Sequence, residues 1–358
     1  MIRTEGLKKF AATSVALGAL IGCASTMGGG EPVQLAGVEC TSPPPLHCPE
    51  AGCPDELIGN PGNAADPATY REFYLDYPCD LRPGEAVTFV LNLHGGGSIA
   101  NWQRHYFPIM DYKEEYRLVV ATPSGTSRGW RADPDDQHLR NIVEMVEAEL
   151  AANDVAIDAF WLAGHSFGGQ TSNRLINDDP FFYTRIDGWV SLSGGRLGSR
   201  RADVRAGIPR GSVAGGPPPR PERPPAAEGE CVGLAACAEF LPETAEFSFI
   251  YETGEHELTD AGLPNASPWA AQLGCDVQAN PREIVDTTAG YVYDGREQAN
   301  RNPVWGLDPR PGTALIYDYP NCDDGRIVAD VVRLDKGHTE GLEPEITEEI
   351  VRMMMAAR

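Results

Sequence analysis

Lysine is nearly absent from this chain: Lys8, Lys9, Lys113 and Lys336 are the only four in 358 residues. Arginine does not make up the deficit, since lysine and arginine total 29 against 52 aspartates and glutamates, a formal net charge of −23. Nucleic-acid phosphate is bound by a basic surface, so a nucleic-acid partner is excluded. No apolar run approaches the roughly 20 residues that cross a bilayer, which excludes a polytopic membrane protein. The nine cysteines include no C-x₂-C pair, which speaks against a zinc ribbon. There is no internal repeat and no collagen or heptad pattern. What is present is a globular composition, 42% hydrophobic and 23% charged, with enough chain for one large domain or two ordinary ones.

The N-terminus reads as an export signal. Arg3, Lys8 and Lys9 precede an apolar stretch from Phe10 to Ile21, too short to span a bilayer and the right length for a signal h-region. It ends in Leu20-Ile21-Gly22-Cys23, which resembles the bacterial lipobox, where cleavage before the cysteine leaves a lipidated thiol. Residues 1–22 are therefore expected to be removed and Cys23 to anchor the chain, with Ala24 favouring the outer membrane or cell surface over inner-membrane retention. If the lipobox is not used, the protein is secreted. The mature chain would carry a solvated acidic shell that repels polyanions and tolerates neutral esters and polymers.

Apart from Cys23, eight cysteines remain, an even number that reads as a disulfide framework in an exported chain. Cys231 and Cys237 are close enough to close a small loop. Cys40, Cys48, Cys53 and Cys79 form an N-terminal cluster expected to pair internally in an order the sequence leaves open. Cys275 and Cys322 remain as a pair. No metal site and no cofactor is expected.

Residues 24–69 are rich in Gly, Pro and Ser and predict a tether and a disulfide-pinned extension, reaching residue 84, with no sheet core. From about residue 85 the pattern alternates. Strands are predicted at Val87–Leu93, Tyr116–Thr122, Phe160–Ala163, Gly188–Leu192, Phe247–Tyr251 and Ile327–Leu334, with helices at His138–Ala151 and Gln170–Ile176. Short apolar strands alternating with helices predict an α/β domain over 85–358, a mostly parallel sheet covered on both faces. Residues 199–245, rich in Pro and Arg, interrupt that rhythm as a surface insertion.

Three segments carry chemistry. Gly164-His165-Ser166-Phe167-Gly168 has the G-x-S-x-G form of a nucleophile elbow, with a strand before it and a helix-compatible segment after it. His94-Gly95-Gly96-Gly97 ends a strand and has the form that supplies oxyanion-hole N–H groups. The expected donors are Phe167 and Gly96, with Gly95 as the next choice. His338, in Asp335-Lys336-Gly337-His338-Thr339 after the last predicted strand, is the expected general base. His47, His94, His105, His138, His165 and His256 are less suited by position or chain order. The acid is expected in the turn after Tyr251: Glu257 first, with Asp260 and Glu255 within a small register shift. Trp102, Tyr106, Trp130 and Phe167 are candidates to line an acyl pocket.

Residues from about 85 to 350 resemble the exported α/β-hydrolase esterases of the polyhydroxybutyrate depolymerase and feruloyl esterase group. The matching pieces are Leu93-His94-Gly95-Gly96-Gly97, Thr122-Pro123-Ser124-Gly125 with Trp130, Gly164-His165-Ser166-Phe167-Gly168-Gly169, and Gly337-His338-Thr339. The resemblance implies an α/β-hydrolase fold and a serine esterase acting on a small-molecule or polymeric ester; a serine peptidase on the same fold and a non-catalytic surface lipoprotein are the alternatives, and a tethered monomer is the default. It implies Ser166 as nucleophile, His338 as base, an acid after Tyr251, and a disulfide comparable to Cys275–Cys322. Two features depart from it. Tyr251-Glu252-Thr253-Gly254-Glu255-His256-Glu257 stands where an aspartate in a His-Gly-x-x-Asp context is usual, and Thr339-Glu340 stands where Trp-Pro often follows the histidine.

Overall fold

The computed structural model describes residues 31–40, 63–197, 245–258, 262–292 and 302–357. The signal segment, Cys23, the cysteines Cys48, Cys53, Cys231 and Cys237, Asp260 and nearly all of the 199–245 insertion lie outside the described residues. The fold below is that of the compact unit Pro32–Arg358.

A ten-stranded sheet organises the described residues. Its strands are β1 (Asn63–Ala65), β2 (Glu72–Asp76), β3 (Ala86–Leu93), β4 (Leu118–Pro123), β5 (Ala156–His165), β6 (Gly188–Leu192), β7 (Ser248–Gly254), β8 (Arg282–Asp286), β9 (Gly312–Tyr319) and β10 (Val328–Leu334). In space they run β1-β2-β4-β3-β5-β6-β7-β10-β9-β8. From β4 through β10 neighbours are parallel, while β1, β2, β9 and β8 add antiparallel pairings at the two edges. A central parallel sheet that reverses its strand order beside β3 and carries a strained serine after β5 is the α/β-hydrolase architecture.

Helices cover both faces because the central strands are apolar on both. Phe89 and Leu91 of β3 face Leu139, Ile142, Val146 and Leu150 of α2 (Pro134–Ala152). Val90, one residue out of phase, joins the opposite core with Trp102 and Tyr106 of α1 (Ala100–Tyr106) and Ile346, Ile350 and Met354 of α5 (Pro344–Ala356). Between α2 and α5 in the chain lie α3 (Phe167–Asp178) and α4 (Pro268–Gln272). Pro134 at the first position of α2, followed by Asp135 and Asp136, starts that helix four residues before the expected boundary.

The N-terminal extension differs from its expectation. Its residues do enter the sheet and core: β1 and β2 are sheet strands, and Val33, Leu35 and Val38 are buried with the main cluster. Asp66, at the end of β1, accepts from His138 Nδ1 (2.9 Å) and Asn141 Nδ2 (3.0 Å), which fastens this edge to α2. Disulfides join Cys40 to Cys79 and Cys275 to Cys322. Cys40, Cys79 and Glu114 converge, but the two sulfurs are bonded to each other and offer no thiolate to a metal. Among the described residues no helix is long and apolar enough to cross a membrane.

Candidate active site

Ser166 sits in the turn between β5 and α3 with φ 50° and ψ −112°, in the left-handed half of backbone space that a serine occupies only when its surroundings impose it. Two glycines permit the turn. A Cβ on Gly164 would stand 2.5 Å from the Gly168 carbonyl carbon, and one on Gly168 would stand 2.2 Å from the Leu93 carbonyl oxygen. The backbone of β5, α3 and the end of β3 thus meets with no room for a methyl group. The Ser166 N–H donates to Leu192 O (2.8 Å), which ties the elbow to β6.

The glycine run after β3 lies against this elbow. A Cβ on Gly96 would be 3.6 Å from the Phe167 Cβ, so residues 96 and 167 are immediate neighbours. The N–H groups of Gly97 and Ser98 are engaged, with Arg128 O (2.7 Å) and Gly95 O (3.2 Å). Gly95 is buried against His165, whereas Gly96 is exposed. Phe167 opens α3, where the first-turn N–H groups have no partner inside the helix and the dipole favours negative charge. His94 is a neutral brace for this loop. Its Nδ1–H donates to Gly95 O (2.7 Å), its Nε2 accepts from Gly125 N–H (2.9 Å), and burial lowers its pKa to about 4.

His338 arrives from the opposite side on the loop after β10. Its Nε2 accepts from Ser166 Oγ at 2.8 Å, and its Nδ1–H donates to Glu257 Oε2 at 2.6 Å. Glu257 lies in the turn that follows β7, and Ser193 Oγ (2.6 Å) and Gly254 N–H (3.2 Å) donate to its other oxygen. Burial pushes the Glu257 carboxyl up, but the neighbouring His338 charge and these hydrogen bonds outweigh it and hold the pKa below the ordinary glutamate value. Ser166, His338 and Glu257 therefore form one continuous hydrogen-bonded chain. Glu255 points elsewhere and accepts from the Asp335 N–H (2.7 Å). Asp260 lies outside the described residues.

The aromatic candidates part company. Tyr106 is fully buried, and Trp102 and Trp130 nearly so, packed around His165 and His94 respectively; they are packing, not an opening. Phe167 alone of the four is half-buried beside Ser166. Three residues went unrecognised in the sequence. Ser193, with φ 49°, holds the Glu257 carboxylate; a small polar residue at the carboxyl end of a central strand was its only signal. Trp305 packs 5.2 Å from the His338 ring, and Val304 O and Trp305 O accept from the N–H groups of His338 and Thr339. Glu340, 2% exposed, accepts from Leu307 N–H (2.7 Å), Arg310 (2.6 Å) and Gly337 N–H (3.2 Å).

No protein-family model matches the chain, and no curated protein matches it. Among solved structures it is similar to an acetyl xylan esterase from Aspergillus awamori, at 12% identity over 81% of this chain and 96% of that one, TM-score 0.41. It is also similar to FphF, a fluorophosphonate-binding serine hydrolase of Staphylococcus aureus, at 14% identity over 54% and 77%, TM-score 0.32. A thermophilic esterase from Thermogutta terrifontis, Est2, is similar at 13% identity over 56% and 73%, TM-score 0.34. The strand order and the elbow, not these likenesses, define the fold of this chain as that of an α/β-hydrolase.

Proposed function

We propose that the protein is a serine esterase that hydrolyses carboxylic esters through an acyl-enzyme. The observation that carries this reading is the unbroken relay Ser166 Oγ to His338 Nε2 and His338 Nδ1–H to Glu257, with Ser166 strained at the start of α3 beside Gly96. His338 takes the Ser166 proton as Oγ attacks the ester carbonyl. Glu257 holds the imidazole in the correct tautomer and stabilises its cation. The N–H groups of Phe167 and Gly96 receive the oxyanion, each worth about 3 kcal/mol to the transition state. His338 then returns the proton to the leaving alcohol, and water releases the acid by the same steps in reverse.

The finer reading follows the resemblance to polyhydroxybutyrate depolymerases and feruloyl esterases: a feruloyl or acetyl ester on a polysaccharide, or a polyester. The half-exposed Ser166 beside the exposed Gly96 and Gly97 supports a substrate met at the surface. The excess of acidic side chains supports a neutral one. In the same reading Cys23 carries the lipid that anchors the chain, tested by mass spectrometry of the mature N-terminus; an unmodified residue there rejects the anchor.

The deciding experiment is hydrolysis of p-nitrophenyl acetate and butyrate by the full chain in detergent, beside Ser166→Ala. The expected result is activity that falls by about 10⁴-fold or more in the variant. Folded wild-type protein with no turnover would reject the esterase reading.

A further inference from the structure

His165 adjoins the glycine run, the nucleophile and the base loop without belonging to the relay. It precedes Ser166 in the chain. Its Nε2 is 2.8 Å from the carbonyl oxygen of His338. A carbonyl only accepts, so Nε2 carries the proton and donates. The Nδ1 atom is buried with no hydrogen-bond partner among the described residues, and it faces the glycine run: a Cβ on Gly95 would stand 2.6 Å from it. The ring lies 4.0 Å from Tyr106 and 5.6 Å from Trp102, and the Tyr106 hydroxyl donates to the same His338 carbonyl at 3.2 Å. Burial, with repulsion from His338 next in weight, holds the His165 pKa well below the ordinary histidine value, so the ring stays neutral.

We propose that His165 is a positioning residue: one neutral imidazole, wedged between Gly95 and the His338 carbonyl, that sets the spacing of oxyanion loop, nucleophile and base. The proposal rests on the esterase reading and adds a role to it. Three segments separated by about 70 and more than 170 residues of chain meet at this ring. Leaving Nδ1 unpaired in a buried place has a cost that a phenylalanine would avoid. A ring that only filled space would have no need of a nitrogen there. The donor at Nε2 accounts for it: the His338 carbonyl is held by two donors, His165 and Tyr106, while the His338 side chain spans Ser166 and Glu257.

The test uses His165→Phe, which keeps a ring against Tyr106 and removes the donor, and Tyr106→Phe, which removes only the second donor. Rates are taken per site titrated with a fluorophosphonate, so that misfolded protein is not counted. His165→Phe is expected to lower kcat by about 30-fold with little change in KM, since a misplacement of about 1 Å costs on the order of 10²-fold. Tyr106→Phe should do the same by about threefold, which keeps the proposal testable if the first variant does not fold. Unchanged kcat per titrated site would overturn it. A second readout is independent of turnover: the low-field proton resonance of His338 Nδ1–H should move upfield in His165→Phe and stay in place in Ser166→Ala. A resonance unmoved in His165→Phe sinks the positioning role, whereas an inactive wild type with that resonance shifted as expected sinks only the esterase reading.

Discussion

On the Ser166 side of the site, the contacts that fix the chain run from backbone to backbone. Gly164 lies on Gly168, and Gly168 on Leu93. The histidines there, His94 and His165, are kept neutral by burial. On the His338 side, ion pairs are added to the backbone contacts of Val304, Trp305 and Gly254. Arg333 donates to Glu252 (2.6 Å) and lies 3.4 Å from Glu343, Lys336 pairs with Glu343 (2.6 Å), and Glu340 with Arg310 (2.6 Å). The steric half should therefore be intolerant of an added methyl group and indifferent to pH. The ionic half should tolerate small changes of shape and fail when one partner is removed.

The largest effect is expected from Arg333→Met, which would leave Glu252 and Glu343 buried without their guanidinium. Breaking such a cluster costs about 3–5 kcal/mol. The loss should also depend on pH with a definite sign. Burial pushes the Glu252 pKa up, and Arg333 partly offsets that push. In the variant the folded-state value rises further above the unfolded one. The folded state then binds the proton more readily, so the deficit is smallest in acid and grows as pH rises through the raised Glu252 value. Urea melts of variant and wild type from about pH 5 to about pH 8 measure the gap. A gap that narrows with rising pH would show that Arg333 does not hold this side through the Glu252 charge.

A smaller but pH-independent loss, about 3 kcal/mol, is expected from Gly168→Ala, because the methyl group would meet backbone, which cannot swing aside as a side chain can. The same series of melts checks it. A deficit that changes with pH would show that the steric half also leans on charge.

The same contrast explains what the sequence discloses. Close backbone approach restricts residue type at neighbouring positions, so the elbow and the glycine run appear as short motifs around Ser166 and His94. The central strands are apolar on both faces and were legible for the same local reason. The outer strands β1, β2, β8 and β9 have mixed exposure, with β1 and β8 paired on one side alone, and their pattern is correspondingly weak. Spacing puts Glu257 first but leaves Asp260 and Glu255 within a small register shift. The choice is made by contacts from a distant segment: Gly254 lies against Lys336 O, where a Cβ would stand 2.4 Å away, and the His256 N–H donates to that carbonyl at 3.0 Å. This register turns Glu257 toward His338 and Glu255 toward Asp335. Trp305 and Glu340 belong to such long-range packing and carry no local signature.

Glu340 offers the finest test of the comparison, because it joins charge to position. Its carboxylate accepts from Gly337 N–H on one oxygen and from Leu307 N–H and Arg310 on the other, clamping segment 302–310 onto the loop that carries His338. Glu340→Gln keeps the shape but replaces one acceptor oxygen with a donor, so whichever way the amide turns it confronts a backbone N–H. The expected cost is about 1–2 kcal/mol of stability, with kcat down by about tenfold through a displaced His338 and KM little changed. Thermal melts and steady-state kinetics per titrated serine separate the two effects. A variant that loses stability and keeps full kcat would mean that the clamp holds the 302–310 segment alone, and that Val304 and Gly254 suffice to place the base loop.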